Sequence, residues 1–260
     1  MEKDKYVCKL CNKQYKNDEM SAEHYPAKSV GNDDIGKFDL TKFIDIFDSK
    51  SIKEDIYQKL KKGENIKDIC ENIFDNELFE STYKHGRTAR TLCKNCNHFL
   101  GKYDEAYLKF FKVDGLPKII NGFKIETKYE IIKSIYAKFI SVPETINENF
   151  DFISFINNTT ERKYNGIWNL YFVKRDHTSD LLGFSDIGTG KLEYEDGVVY
   201  ELSDEKFIFN LMNFKIHSCY KMTNIFDILN KNYELVEGVG ETGGYHGQIL
   251  MQRLFVDNDE

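Results

Sequence analysis

Short runs of hydrophobic residues alternate with turn residues over roughly the last hundred positions of the chain. The segments 167–173, 191–194, 198–202 and 207–216 contain β-branched and aromatic side chains, and glycine-containing turns separate several of them. Runs of this kind are typical of strands that pair with their neighbours in sequence. The pattern therefore predicts an antiparallel sheet in this part of the chain.

Apolar residues spaced three and four positions apart indicate helices before this sheet. One such segment runs from Asn97 to about residue 110, and a second runs from 126 to about 141, where Pro143 ends it. Helices followed by an antiparallel sheet predict an α+β fold. The same spacing recurs in short pieces within residues 37–82, so we expect a helical insertion there.

The composition fits a folded protein without a membrane span. A chain of 260 residues with 41 % hydrophobic residues can bury a sizeable core. No stretch approaches the roughly 20 apolar residues that a transmembrane helix needs, and the charged start of the chain is unlike a signal peptide. We therefore expect a cytoplasmic protein with no membrane contact, whose six cysteines include metal ligands rather than disulfides.

The net charge of −7 disfavours nucleic acid as a partner, because phosphate binding depends on Lys and Arg. The charge is unevenly distributed along the chain. Residues 1–112 contain 21 Lys and Arg against 20 Asp and Glu, whereas residues 113–260 contain 15 against 23. The first part is therefore compatible with DNA, and the second favours contact with a protein partner or a regulatory ligand.

Four of the cysteines form two CxxC pairs, Cys8 with Cys11 and Cys93 with Cys96. Together the pairs supply four thiolates for a tetrahedral zinc, and such a site is structural because it leaves no open coordination position. The 81 residues between the pairs must then be bridged by the fold. The alternative, a redox-active CxxC, needs a strand before it and a helix after it, and residues 12–14 indicate a turn instead.

Residues that can bind metal or transfer protons lie between and directly after the two cysteine pairs. The order is CxxC, then Glu-His-x-Pro at residues 23–26, then CxxC-Asn-x-x-Leu-Gly ending at residue 101. This combination resembles the HNH endonucleases of the ββα-metal fold, over roughly residues 6–110. The resemblance implies an endonuclease core with a zinc ribbon, interrupted by the helical insertion.

The resemblance also implies roles for individual residues. His24 corresponds to the general base, and an imidazole titrates close enough to working pH to take a proton from water. Glu23 and Asn97 correspond to the ligands of a catalytic metal. Their hard oxygen donors suit Mg²⁺ or Mn²⁺ better than zinc. Asp104, seven residues after Asn97, falls on nearly the same helix face and is either a further contact or a solvated charge.

Basic residues surround the second cysteine pair. They are Arg87, Arg90, Lys94 and Lys102. These side chains could hold DNA phosphates on either side of the scissile bond, or they could form a solvated basic rim.

The sequence departs from the most familiar HNH pattern. The final His is Asn97 here, as in several branches of the family, and the middle Asn that helps orient the base would fall near Thr88, where there is none. The group that orients His24 is therefore unidentified.

We expect two domains, a nuclease domain of residues 1–112 with its insertion and an α+β domain of residues 113–260. The family commonly serves restriction, phage defence and mobile elements. Two alternatives stay open. One is a nuclease subunit that is active only with a partner or ligand, and the other is an inactive zinc-ribbon module that binds nucleic acid.

Overall fold

The computed structural model describes residues 5–33, 35–38, 50–73, 79–175, 188–214 and 222–238. The chain forms two compact units. Residues 33–86 form the smaller unit, and residues 1–32 join residues 87–260 in the larger one.

The larger unit begins with a short hairpin. Strand β1 (Lys5–Val7) pairs antiparallel with β2 (Gln14–Lys16). In the turn between them the Cys8 amide donates to the Lys13 carbonyl at 2.9 Å, and Asn12 adopts a left-handed conformation with φ 56°. Asparagine tolerates that conformation better than most residues. Strand β3 (Glu23–His24) follows.

The smaller unit contains both strands and helices. Strand β4 (Ile35–Phe38) pairs antiparallel with β5 (Phe79–Tyr83), and helices α1 (Lys50–Lys61) and α2 (Ile66–Ile73) lie between them in sequence. The predicted helices are thus present at 50–73. The two strands were not predicted, because Phe38 fits the helical spacing equally well. The parts of the predicted helical pattern at 39–49 and 74–78 lie outside the described residues.

The chain returns to the larger unit through β6 (Thr88–Ala89), which pairs antiparallel with β3. Helix α3 (Lys94–Lys112) starts directly afterwards, and Cys93 is its N-cap residue. The predicted helix from Asn97 to about 110 is therefore confirmed, with extra residues at each end. Strand, strand and helix follow one another in this part of the unit.

Helices α4 (Pro117–Ile120), α5 (Ile125–Phe139) and α6 (Ile153–Asn157) follow. The helix predicted from 126 to about 141 corresponds to α5, which packs along α3. The turn before α4 requires glycine at position 115. Its φ is 59°, and a Cβ there would lie 2.8 Å from the Phe110 ring. No helix within the described residues is long and apolar enough to cross a membrane.

The sheet lies in the last part of the larger unit. Its strands are β7 (Asn169–Arg175), β8 (Thr189–Tyr194), β9 (Gly197–Ser203), β10 (Phe207–Met212), β11 (Thr223–Asn224) and β12 (Glu237–Gly238). Their order is β11-β7-β10-β9-β8, with β12 parallel to β7 and every other pair antiparallel. The prediction of an α+β fold with an antiparallel sheet is confirmed.

Aromatic side chains join this sheet to α3. The Phe110 ring lies 5.0 Å from that of Phe207 and 5.9 Å from that of Phe172, and the Tyr107 ring lies 5.9 Å from that of Phe209. Each fully buried ring of this size contributes about 1.5–3 kcal/mol by leaving water. Helix α3 and the sheet therefore share one core, and the compact units do not divide at the predicted boundary between residues 112 and 113.

Candidate functional site

The fold brings the two cysteine pairs together. Cys8 and Cys11 lie in the turn of the β1–β2 hairpin, whereas Cys93 and Cys96 lie at the start of α3. Their four sulfur atoms are all within 4.8 Å of one another. Four sulfurs so close fit the donor set of a tetrahedral zinc, whose Zn–S bonds are about 2.3 Å long. A four-cysteine metal site is therefore possible as predicted, and the identity of its metal stays a prediction.

The surroundings of the sulfurs favour thiolates at some positions and oppose them at others. Burial raises the pKa of the Cys96 thiol. Burial also acts to raise the pKa of Cys93, but hydrogen bonds led by that of the Cys96 amide outweigh it and bring this pKa to about 7. The Tyr15 hydroxyl lies 3.6 Å from the Cys11 sulfur and can donate to it. A bound divalent cation would stabilise all four thiolates.

The β3–β6 pair holds the predicted base. Glu23 lies opposite Ala89 and His24 lies opposite Thr88. Because successive side chains of a strand point to opposite faces, Glu23 is buried while His24 stays partly exposed. The imidazole is therefore on the face of β3 that solvent reaches.

Asn32 forms hydrogen bonds to the backbone next to both strands of the β3–β6 pair. It is fully buried, and its amide nitrogen donates to the carbonyls of Pro26 at 2.7 Å and Arg87 at 2.9 Å. Its side-chain oxygen accepts from the Arg87 amide at 2.6 Å. The HNH pattern places a supporting asparagine near Thr88, whereas Asn32 lies elsewhere in the sequence and was not predicted. The Gly31-Asn32 dipeptide signals a turn, but nothing local identifies a partner 55 positions away.

Asn97 connects the first turn of α3 to the segment before β3. Its side-chain nitrogen donates to the Ser21 hydroxyl at 2.6 Å. The Ser21 amide in turn donates to the Leu92 carbonyl at 2.9 Å. The Ser21 contact therefore holds the Asn97 amide group against the segment before β3.

Glu23 belongs to a buried group of charges that the sequence analysis did not predict. The ammonium of Lys138, on α5, forms ion pairs with Glu23 Oε1 and, at 2.8 Å, with Asp104 Oδ2. The Ser134 hydroxyl donates to the other oxygen of Asp104 at 2.8 Å. Burial alone would lower the pKa of Lys138, but Asp104 and Glu23 outweigh it and raise this pKa. We call Glu23, Asp104 and Lys138 the ionic triad.

The predicted ligands of a catalytic metal fit a hard cation in their chemistry. Glu23 offers a carboxylate and Asn97 an amide oxygen, and two carboxylates with one ammonium leave the ionic triad with one net negative charge. Within the described part of the chain, however, the four cysteines are the one group of three or more His, Cys, Asp or Glu that could hold a metal. The catalytic metal therefore stays a prediction.

The predicted phosphate-binding residues differ in their surroundings. Arg87 is partly buried, whereas Arg90, Lys94 and Lys102 are exposed. The Arg90 guanidinium bonds to the side chain of Asn17, and the Lys102 ammonium lies 4.8 Å from the centre of the Tyr103 ring. Arg90 and Lys102 are thus held near the protein surface, and contact of the four residues with DNA stays a prediction.

The candidate site therefore combines the four-cysteine cluster, the β3–β6 pair with His24 and the ionic triad. Comparison of the chain with models of known protein families, with curated proteins and with solved structures found no match.

Proposed function

We propose that this protein is a metal-dependent endonuclease that hydrolyses DNA phosphodiester bonds with His24 as general base. One observation carries the proposal. Strand β3 with His24 pairs with β6, and helix α3, which follows β6, carries Asn97 and two of the four clustered cysteines. This is the strand-strand-helix order that the resemblance to HNH endonucleases implies.

His24 suits the role of the base. It is partly exposed, so that a water molecule and a phosphate can reach it. A neutral imidazole takes a proton from the attacking water as the new phosphorus–oxygen bond forms. The hydrogen bonds of Asn32 to Pro26 and Arg87 join the end of β3 to the start of β6.

Glu23 and Asn97 are the residues that would hold Mg²⁺ or Mn²⁺. When bound, such an ion supplies positive charge to the scissile phosphate and to the leaving oxygen. Ser21 orients the Asn97 amide, and Lys138 orients the Glu23 carboxylate. Partners of this kind commonly fix metal-binding side chains.

The four-cysteine cluster has a structural role in this proposal. A zinc with four thiolates keeps no position for water or substrate, so it would join the β1–β2 hairpin to the start of α3. DNA would lie along the side that carries Lys94 and Lys102, where their positive charge can meet phosphates. Restriction or phage defence is the setting that the resemblance suggests.

Cleavage of supercoiled plasmid in the presence of Mg²⁺ or Mn²⁺ tests the proposal. We expect wild type to cut and His24→Ala to lose at least about 10²-fold in rate, since the general base is removed. His85→Ala, which changes an exposed histidine outside the site, should cut like wild type. Elemental analysis should find about one zinc per chain in all three proteins.

Cleavage by His24→Ala at the wild-type rate would contradict the proposal. If zinc-loaded wild type does not cut, DNA binding separates the alternatives. Tight binding without cleavage favours an inactive nucleic-acid-binding module. Absence of both binding and cleavage favours a subunit that needs a partner or ligand.

A further inference from the structure

Lys138 is an unusual residue for the interior of a helix pair. Its ammonium is almost completely buried, and a buried charge is unfavourable unless it is paired. Two carboxylates surround it, Glu23 and Asp104, and their attraction outweighs the effect of burial, so Lys138 stays charged. Loss of this ammonium would leave two neighbouring carboxylates without their cationic partner.

The ionic triad joins three elements at one point. Glu23 lies on β3, Asp104 on α3 and Lys138 on α5. Ser134, one helical turn before Lys138, holds the second oxygen of Asp104. The orientation of the Asp104 carboxylate is thus fixed from α5 at both of its oxygens.

Strand β3 needs such a support. Its ladder with β6 has only two residue pairs, Glu23 with Ala89 and His24 with Thr88. The flanking hydrogen bonds of Ser21 and Tyr25 also lead to the segment 87–92, so the Glu23 carboxylate adds a link from this strand to a different element. Glu23 precedes His24 directly, so fixing its carboxylate against α5 also fixes the backbone that carries the imidazole.

We propose that Lys138 is a positioning residue of the candidate site, which holds β3 and His24 in a fixed place relative to Asn97 on α3. This inference rests on the proposed nuclease function. It gives residues beyond 112 a part in the site, since α5 lies in the segment for which the sequence indicated no chemistry. Lys138 acts through Glu23 and Asp104 and does not itself contact the reacting groups.

Lys133 provides a matched control on the same helix. It is equally buried, but its ammonium donates to the Asn158 carbonyl at 2.6 Å and lies 4.7 Å from the centre of the Phe155 ring. Its contacts thus lead to α6 and its C-terminal end, while those of Lys138 lead to β3 and α3. Replacing either lysine by methionine removes a buried ammonium, but only at position 138 does the change also take the cationic partner from two carboxylates.

The test compares full-length wild type, Lys138→Met, Lys138→Arg and Lys133→Met, each checked for zinc content and melting temperature. We expect Lys138→Met to lower kcat about 10–100-fold with little change in KM for plasmid, as loss of a supporting contact does. Lys138→Arg should recover part of kcat because it restores the charge. Lys133→Met should keep the wild-type kcat even if it melts earlier.

Hydrogen exchange of the peptide covering residues 20–26 provides a second readout that needs no cleavage. We expect faster exchange in Lys138→Met and not in Lys133→Met. Wild-type kcat in Lys138→Met, or equal losses in both methionine variants, would overturn the inference. If Lys138→Met does not fold, Asp104→Asn replaces it, and unchanged exchange and kcat there would overturn the inference too.

The two proposals can fail separately. If wild type does not cut but exchange at residues 20–26 rises only in Lys138→Met, the nuclease function fails while the hold of Lys138 on β3 stands. If wild type cuts and Lys138→Met cuts equally well, only the positioning role fails.

Discussion

Asn32 and Lys138 contact the segments on either side of His24. Each forms hydrogen bonds or ion pairs with two groups that are far apart in sequence. Both residues are buried, and a buried polar group that loses its partner destabilises the fold. The cysteine pairs and the Glu-His and Asn motifs could be recognised from local spacing. Asn32 and Lys138 could not, because their partners lie 55 and 115 positions away.

Asn32→Ala should destabilise the larger unit. The substitution removes three hydrogen bonds and leaves the amide and carbonyl of Arg87 without this partner in a buried place. We expect the free energy of unfolding to fall by about 1–3 kcal/mol or more, measured by urea unfolding. Asn95→Ala, on an exposed position of α3, should stay within about 0.5 kcal/mol of wild type. Equal effects of the two variants would contradict this role of Asn32.

Helix α3 is the element that connects the parts of the site. Its first turn carries Cys93, Cys96 and Asn97, its middle carries Asp104, and its last turns pack against the sheet. The sequence predicted α3 and α5 because helices of 15 or more residues repeat their apolar spacing several times. Apolar spacing gives no indication of β6, because a two-residue strand has no period to detect. The strand at Glu23 and His24 was predicted together with the resemblance to HNH endonucleases, not from its spacing.

Removal of the metal should loosen the start of α3. The β1–β2 hairpin and α3 both contribute sulfurs, so a zinc held by all four would join them, and its binding energy would contribute to folding. We expect a strong chelator, or Cys93→Ser, to lower the melting temperature and to abolish cleavage. Cys70→Ser, which changes an exposed cysteine outside the cluster, should leave both unchanged. Full zinc content and an unchanged melting temperature in Cys93→Ser would contradict the four-cysteine site.

At the scale of the whole molecule, one core connects the motif-bearing segment to the sheet. The amphipathic patterns predicted both α3 and the strands, but they gave no indication that these elements pack together. That contact depends on aromatic rings such as Phe110 and Phe207, which are 97 positions apart. The predicted domain boundary after residue 112 follows from the difference in charge between the two parts of the sequence. The shared core depends on contacts between distant residues, which the spacing of apolar residues along the sequence does not reveal.

Asp204 gives this core a dependence on pH. It is fully buried between β9 and β10, and it accepts hydrogen bonds from the Tyr107 hydroxyl of α3 and from the amides of Lys206 and Phe207. Burial raises the pKa of Asp204 to about 6, although these bonds and the charge of Arg175 act to lower it. The folded protein therefore retains this proton over a pH range in which the unfolded chain has lost it.

The direction of the effect follows from the raised pKa. Between pH 4 and pH 6 the folded state binds more protons at Asp204 than the unfolded state, so this group makes folding less favourable as the pH rises. A shift of roughly two pKa units corresponds to about 3 kcal/mol at most.

Relative to wild type, Asp204→Asn should gain stability from pH 4 to pH 7, measured by urea unfolding at each pH. Tyr107→Phe removes a hydrogen bond to the carboxylate and should make the dependence on pH steeper. A difference between Asp204→Asn and wild type that stays constant over this range would show that the carboxyl titrates alike in both states.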